Sequence, residues 1–450
     1  MRRFSALFLS IALLLCVCGC KRMSETSSDL SFSSDAPPSS QAEATQSDVP
    51  DNASQETNPS QTASNNSSSK KPTSSEPKKQ LAPPVSQVAD PQKTEPGVVD
   101  SSAPSVQVTP QVIEPRGDKL MAYSRLNDKQ KNIYSLMSTA IDSHNDQNIK
   151  MTNKATMSDV TVAFRAVTFD RPEVFWLSSN YSMASDGSFF KLNYTCTKAQ
   201  KASMLTALKQ QTNRIENEVA GVSSRYEKVH RLHDWLCENV RYSTNHTDEL
   251  AYTAYGAIMN GSAVCEGYSR AMQLFCDELG IPCYLIYGTS RGVAHMWNAV
   301  ELEAHWYQLD VTWDDDETNG FVRHSYLDIT ESSMLADHSE SPLFSASKQY
   351  SGEDSFNFFM ETCDTTKLNY FVQNNLYLTD DYPAVAAAIA NSPSASKRYC
   401  ELYVQNSLLL QNFEGNIANV LGELNTYLQP HGITITRYSV TKDSILISWG

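Results

Sequence analysis

Read for the spacing of its apolar side chains, the chain divides into three stretches. A short apolar run at 8–17 follows Arg2 and Arg3, residues 21–116 show no period, and 117–450 carry helix- and strand-period patterns. In the third stretch, 128–143 and 198–222 read as helices, while 161–168 and 173–177 alternate as strands do. Tyr226, Val229, Leu232, His233, Leu236 and Val240 recur at helical spacing and predict an amphipathic helix over 223–240. The pair Asn260-Gly261 ends the next helical stretch. A further helix opens at Cys265, with Tyr268, Met272, Phe275 and Leu279 as its apolar stripe and Gly280 as its stop. Three strand-like runs succeed it, at 282–288, 295–302 and 306–313. Beyond 345 the pattern weakens to a helix at 384–390, a strand at 400–405, a helix at 412–427 and a two-strand alternation within 433–449.

The predicted fold class is α+β, with a helix bearing Cys265 packed on an antiparallel sheet. Only Glu303-Ala304-His305 separates the last two runs, which is short enough for a hairpin. A two-residue loop at 303 and 304 would set His295 opposite Thr312 and Trp297 opposite Asp310. His295 and Asp310 then share a face as diagonal neighbours, about 7 Å apart at Cβ. Met296, Val300, Leu302, Leu309, Val311 and Trp313 fall on the other face, which suits packing on the helix.

That placement gives the three roles of nucleophilic acyl transfer. A cysteine at a helix start faces unsatisfied N–H groups and the positive end of the dipole, which favours its thiolate. Cys265 would attack a carbonyl, His295 would hold the thiolate and then protonate the leaving amine, and Asp310 would fix the imidazole. Backbone N–H groups at the helix start, that of Cys265 among them, are the oxyanion donors. His230 and His233 lie three apart on their helix, but no matching ligand pair is found downstream, so they read as satisfied or solvated histidines. No metal and no cofactor is expected.

Composition assigns the remainder. Only three of the 43 aromatic residues precede residue 117, and 21–116 hold 13 of the 19 prolines among Ser, Thr, Gln, Asn and Ala. Such a segment buries too little to offset its ordering entropy and reads as a disordered tether. Residues 117–450 carry 26 basic and 39 acidic side chains, which repel phosphate backbones, so nucleic acid is not an expected partner. Seven cysteines lie beyond residue 20, an odd number that leaves at least one free of intrachain bridges. Whether the other six pair is open: an exported lipoprotein can carry bridges, but the scattered spacing without a repeat reads more as reduced and buried cysteines.

The N-terminal pattern is that of a secretory signal peptide, and Val17-Cys18-Gly19-Cys20 resembles the lipobox of bacterial lipoproteins, with valine where leucine is usual. An ordinary signal peptide with incidental cysteines is the other reading. The resemblance implies lipidation at Cys20, export, and anchoring of the chain to the outer face of a bacterial cell membrane, with 21–116 as the spacer.

The run AYTAYGAIMNGSAVCEGYSRAMQLFCDELGIPCYLIYG, then HMWNAV, then WYQLDVTWDD, resembles the bacterial transglutaminase-like superfamily, in the protease-like branch related to kyphoscoliosis peptidase. The segment HSYLDITESSMLADH is similar to the stretch after the aspartate motif in that family. The resemblance covers about 230–340 and implies a papain/transglutaminase-like core with Cys265, His295 and Asp310 as its triad. Tissue-type transglutaminases have Gln-Cys-Trp where this chain has Val264-Cys265-Glu266, a departure that weighs against Gln-Lys cross-linking. The expected organisation is a signal peptide at 1–20, the tether, an α+β region at 117–222, the catalytic domain at 223–345, and a C-terminal extension at 346–450 with a small α/β unit. The expected function is a surface-anchored cysteine hydrolase or acyltransferase acting on peptide or amide bonds, with a peptide, protein or cell-wall substrate. A cross-linking transglutaminase and a catalytically silent binding scaffold are the open alternatives.

Overall fold

A computed structural model describes residues 96–113, 120–316, 320–352, 354–404, 407–440 and 443–450, without the side chains of 407–416 and 418. The apolar run at 8–17, Cys20 and residues 21–95 lie outside the described residues. No helix among those described is long and apolar enough to cross a membrane.

Helix Asp128–Ser143 begins at Asn127, whose side chain takes the Gln130 N–H while the Gln130 side chain takes the Asn127 N–H. Its neighbour, helix Met157–Asp170, contains the 161–168 stretch that alternates like a strand. Val160, Val162, Ala163, Phe164, Ala166 and Val167 are all buried, and so are the polar Ser158, Thr161 and Arg165, so the helix is enclosed on nearly every side and apolar residues are not confined to one stripe. The start was visible in Thr156 and Asp159, which exchange capping bonds. Against these helices lies a sheet in which Gly97–Val99 runs parallel to Leu177–Ala184, next to antiparallel Phe189–Tyr194 and Ile149–Lys150.

The first of those strands falls within the segment read as tether, whose boundary at 116 is therefore too late. The chain beyond it also stays attached: Val106 bridges to Ile149, and the Gln111 N–H donates to Thr139 Oγ1 at 2.9 Å. Pairing along a sheet edge uses backbone groups, so a stretch poor in apolar side chains can join one. Deleting 21–95 is expected to leave the thermal midpoint unchanged, whereas deleting 21–113 should lower it by roughly 2–4 °C for each kcal/mol of lost edge pairing. Equal midpoints would mean that the added strand contributes nothing.

One hydrophobic core unites the 117–222 region with the central region beyond it. Ile133, Phe164 and Phe190 share it with Leu232, Tyr268, Phe275 and Val300, and it continues to Leu368. The Phe175 and Tyr255 rings meet at 4.6 Å across the expected boundary. A second core, with Phe371, Leu376, Ile389, Cys400, Leu424 and Ile445, begins near 370 instead of 346. Its sheet places Ser444–Trp449 between Tyr399–Tyr403 and Ile435–Val440, all antiparallel, beside helices Tyr382–Ala390 and Ser407–Leu428. This unit is thus α+β, not α/β.

The sheet of the central region runs His338–Glu340, Cys283–Ser290, Val293–Leu302, His305–Leu309, antiparallel throughout. Its last hairpin has the anticipated register, Leu302 opposite His305 and Asn298 opposite Leu309. Glu303 and Ala304 adopt φ of 48° and 63°, the left-handed pair of a type I′ turn. The alanine accepts that backbone at a cost of about 1–2 kcal/mol because the two flanking strands set it. The strand then stops at Leu309, short of the expected 313, and Val311–Asp314 turn into one helical turn capped by Asp310. Packed on the sheet is helix Cys265–Glu278, with Tyr268, Met272 and Phe275 fully buried against Met296, Val300, Leu302 and Leu309. Trp313 leaves this set, because the helical turn swings it to the rim.

Candidate active site

Cys265 opens its helix with φ and ψ of Val264 still extended, so the thiol sits on the first turn where backbone N–H groups lack helical acceptors. Local sequence holds it there. Gly261, at φ 61°, ends the preceding helix Ala254–Asn260, and Gly267 lies where a Cβ would come within 2.5 Å of the Ala251 carbonyl oxygen. The first turn of the nucleophile helix is therefore clamped against the loop before it. Glu266, the residue that replaces Trp of tissue-type enzymes, is tied to Arg270, its carboxylate accepting from Nε at 2.8 Å.

His295 stands in strand Val293–Leu302, and its Nε2 lies 2.6 Å from Asp310 Oδ2. After Asp310, the Cys265 thiol is the next group to act on the imidazole charge. Fold and hairpin thus bring together all three residues singled out from the sequence. Cys265 and His295 are each 7% exposed and Asp310 only 1%, so the thiol and imidazole keep a small share of their surface open while the carboxylate is closed off. Burial alone would strip His295 of its charge. Asp310 and Cys265 outweigh that and push its pKa up to about 10. Burial likewise opposes the charge of Asp310, but His295 and His338 hold its carboxyl well below the usual range.

The Asp310 carboxylate accepts four donors. Oδ1 takes the N–H of Thr312 at 3.0 Å and of Trp313 at 3.3 Å, while Oδ2 is shared by His295 Nε2 and, at 3.0 Å, His338 Nε2. Sequence reasoning missed His338. It sits in the three-residue edge strand His338–Glu340, too short for a period, and 28 positions beyond its partner. A signal was present in the Asp337-His338 pair, which closes the segment HSYLDITESSMLADH.

Tyr242 adds a further neighbour. The short strand Arg241–Tyr242 pairs in parallel with Ser262–Ala263, which precede Cys265, and Tyr242 and Cys265 are electrostatic neighbours. Burial, with Cys265 next, pushes that phenol up, so it remains protonated and neutral beside the nucleophile.

The two histidines at helical spacing go elsewhere. His230 Nε2 lies 2.7 Å from Asp328 Oδ2. His233 is fully buried between two carboxylates, Asp234 at 3.1 Å from Nδ1 and Asp314 at 3.2 Å from Nε2. His324, 90 residues after Asp234, reaches the same Asp234 oxygen at 3.0 Å. His233, Asp234 and His324 are ligand types gathered within 4.8 Å, as are His295, Asp310 and His338. In both groups one carboxylate already bonds both imidazoles, which accounts for the clustering as hydrogen-bonded pairs. None of Cys196, Cys237, Cys265, Cys276, Cys283, Cys363 and Cys400 is disulfide-bonded, and all but Cys196 are buried.

Comparison with known proteins adds the family. Residues 213–311, which include Cys265, His295 and Asp310, match the model of the transglutaminase-like superfamily. Kyphoscoliosis peptidase of Mus musculus is 24% identical over 127 residues, and that of Homo sapiens equally so. The aligned stretch covers 25% of this chain and 19% of those relatives, so the chain matches about a fifth of their length. Among solved structures, one of a TGase is 14% identical with a TM-score of 0.23, covering 37% of this chain and 50% of that one. A candidate cysteine protease from Cytophaga hutchinsonii is 21% identical with a TM-score of 0.22, over 26% and 40% of the two chains. Residues 213–311 of this α+β chain are a transglutaminase-like domain.

Proposed function

We propose that the chain is a cysteine hydrolase or acyltransferase that cleaves peptide or amide bonds through Cys265, His295 and Asp310. The observation that carries this reading is the convergence of a helix-start thiol, an imidazole and a buried carboxylate in the order the chemistry needs. Cys265 attacks the substrate carbonyl, and its sulfur forms the new bond as the proton resides on His295. The negative charge that develops on the carbonyl oxygen is met by the N–H groups of the helix start. His295 then gives its proton to the departing amine, and Asp310 keeps the imidazole turned towards both events. Water releases the acyl group in a hydrolase, and a second amine does so in an acyltransferase.

The substrate is read as a peptide, protein or cell-wall fragment, and the chain as exported and held to the membrane through Cys20. One experiment examines chemistry and place together. Tagged full-length protein, offered peptide and wall-fragment libraries with and without a primary amine, is expected to give Cys265-dependent products in a membrane fraction. Released carboxylates identify hydrolysis and amine adducts identify transfer. Cys20→Ala should shift the same activity to the soluble fraction. Products that persist in Cys265→Ala would sink the catalytic reading, and an unaltered membrane share in Cys20→Ala would sink the anchor.

A further inference from the structure

We propose that His338 is a positioning residue of this site, a second imidazole seated on Asp310 that sets the pH at which the Cys265–His295 pair becomes reactive. The inference rests on the reading of Cys265, His295 and Asp310 as a working triad and adds a member to it. A carboxylate can only accept, so both nitrogens that face Asp310 Oδ2, at 2.6 and 3.0 Å, carry hydrogen. The other His338 nitrogen, Nδ1, lies 2.8 Å from Asp337 Oδ1, a second pure acceptor. A ring that donates from both nitrogens is an imidazolium. Asp337 is itself held in place: its Oδ2 accepts from the Tyr326 hydroxyl at 2.6 Å and its carbonyl from the Arg291 N–H at 3.2 Å.

The remaining surroundings of His338 are aromatic. Trp297, Trp313 and Tyr326 lie at ring-centroid distances of 5.1, 5.5 and 5.7 Å, and the Arg291 guanidinium stacks beyond Trp313, 4.3 Å from that ring. The charged groups that face it are therefore Asp310, Asp337 and, at 5.3 Å between centroids, His295, with Cys265 beyond. Burial works against the His338 charge, but Asp310 and Asp337 raise its pKa overall while His295 lowers it. A fixed positive charge so near favours the thiolate of the pair at lower pH, because it stabilises the anion through a poorly screening interior. It also uses the fourth bond of Asp310, which cannot then turn away from His295.

The test is the pH dependence of iodoacetamide alkylation at Cys265 in the full chain, read by mass spectrometry of the Cys265 peptide. His338→Gln keeps an N–H near the Nε2 position and loses the charge. Its labelling midpoint should move up by about one pH unit, with the plateau rate within roughly threefold of wild type. His338→Ala should show the same displacement and a plateau lowered by about tenfold, since Asp310 is then free to rotate. Asp337→Asn preserves an acceptor for Tyr326 and weakens the hold on the His338 proton, so its midpoint should rise by a smaller step. This variant carries the test by itself if those at 338 fail to fold. An unmoved midpoint in His338→Gln, or in Asp337→Asn where that stands alone, would overturn the proposal, and so would a loss of plateau alone. Wild-type Cys265 that labels no faster near pH 6 than the other six cysteines beyond residue 20 would remove the triad itself, an outcome distinct from any seen in the variants.

Discussion

Cys265→Ala is expected to end turnover and all thiol labelling at the site, and Cys265→Ser to leave less than about a thousandth of the rate, because a hydroxyl ionises far less readily than a thiol. His295→Ala should cost a comparable factor, since it removes the proton donor and the partner of the thiolate together. Asp310→Asn should fall less than either. It keeps the nucleophile and imidazole, but an amide nitrogen must now face two of the four donors that the carboxylate accepts, since each oxygen takes two. Rates of acyl-enzyme formation for the three variants, measured by mass spectrometry, check the ordering. Equal losses for Asp310→Asn and His295→Ala would show that orientation counts for as much as proton transfer. The raised pKa of His295 also has a sign. Its value of about 10 lies above the ordinary 6.5, so its charge supports the folded state fully below 6.5 and that support fades as pH climbs to about 10.

Arg323→Ala is expected to be the most destabilising single change outside the site, at about 3–5 kcal/mol. Arg323 is 1% exposed and lies between Asp316 at 3.0 Å and Glu401 at 3.5 Å. Glu401 also accepts from the His324 N–H and from the hydroxyls of Ser325 and Ser444. Loss of the guanidinium leaves two carboxylates buried with their positive partner gone. Urea midpoints should fall accordingly, and Arg323→Met combined with Glu401→Gln should recover part of the loss by removing charge from both sides. A single variant as stable as wild type would mean that water enters to replace the arginine.

The parts legible in the sequence were those fixed by local rules. A two-residue loop between alternating runs leaves one register, so the spacing of the chain alone places His295 beside Asp310. The stripe of Tyr268, Met272 and Phe275 with Gly280 behind it defined the nucleophile helix for the same reason. Where nearly every side of an element is buried, as in helix Met157–Asp170, apolar residues are not confined to one stripe and periodicity misread it. Where pairing depends on backbone alone, as at Gly97–Val99, composition gave no sign of it. His338 and His324 were missed because long-range histidine–carboxylate contacts carry no spacing. Each becomes visible only when the chain between it and its carboxylate has folded.

The Glu401 linkage separates two meanings of the word domain. The segment that matches the family model, 213–311, ends before Asp316 and Arg323, the residues through which the loop after Asp310 is fastened to Glu401 in strand Tyr399–Tyr403. Cut out by itself, that segment would also lose His338 from Asp310 and the part of its core contributed by Ile133, Phe164 and Phe190. Heredity therefore marks a shorter piece than cooperativity does. Material prepared for chemistry should run from before Gly97 to the last strand at Trp449, because the recognisable quarter of the chain borrows its rigidity from the rest.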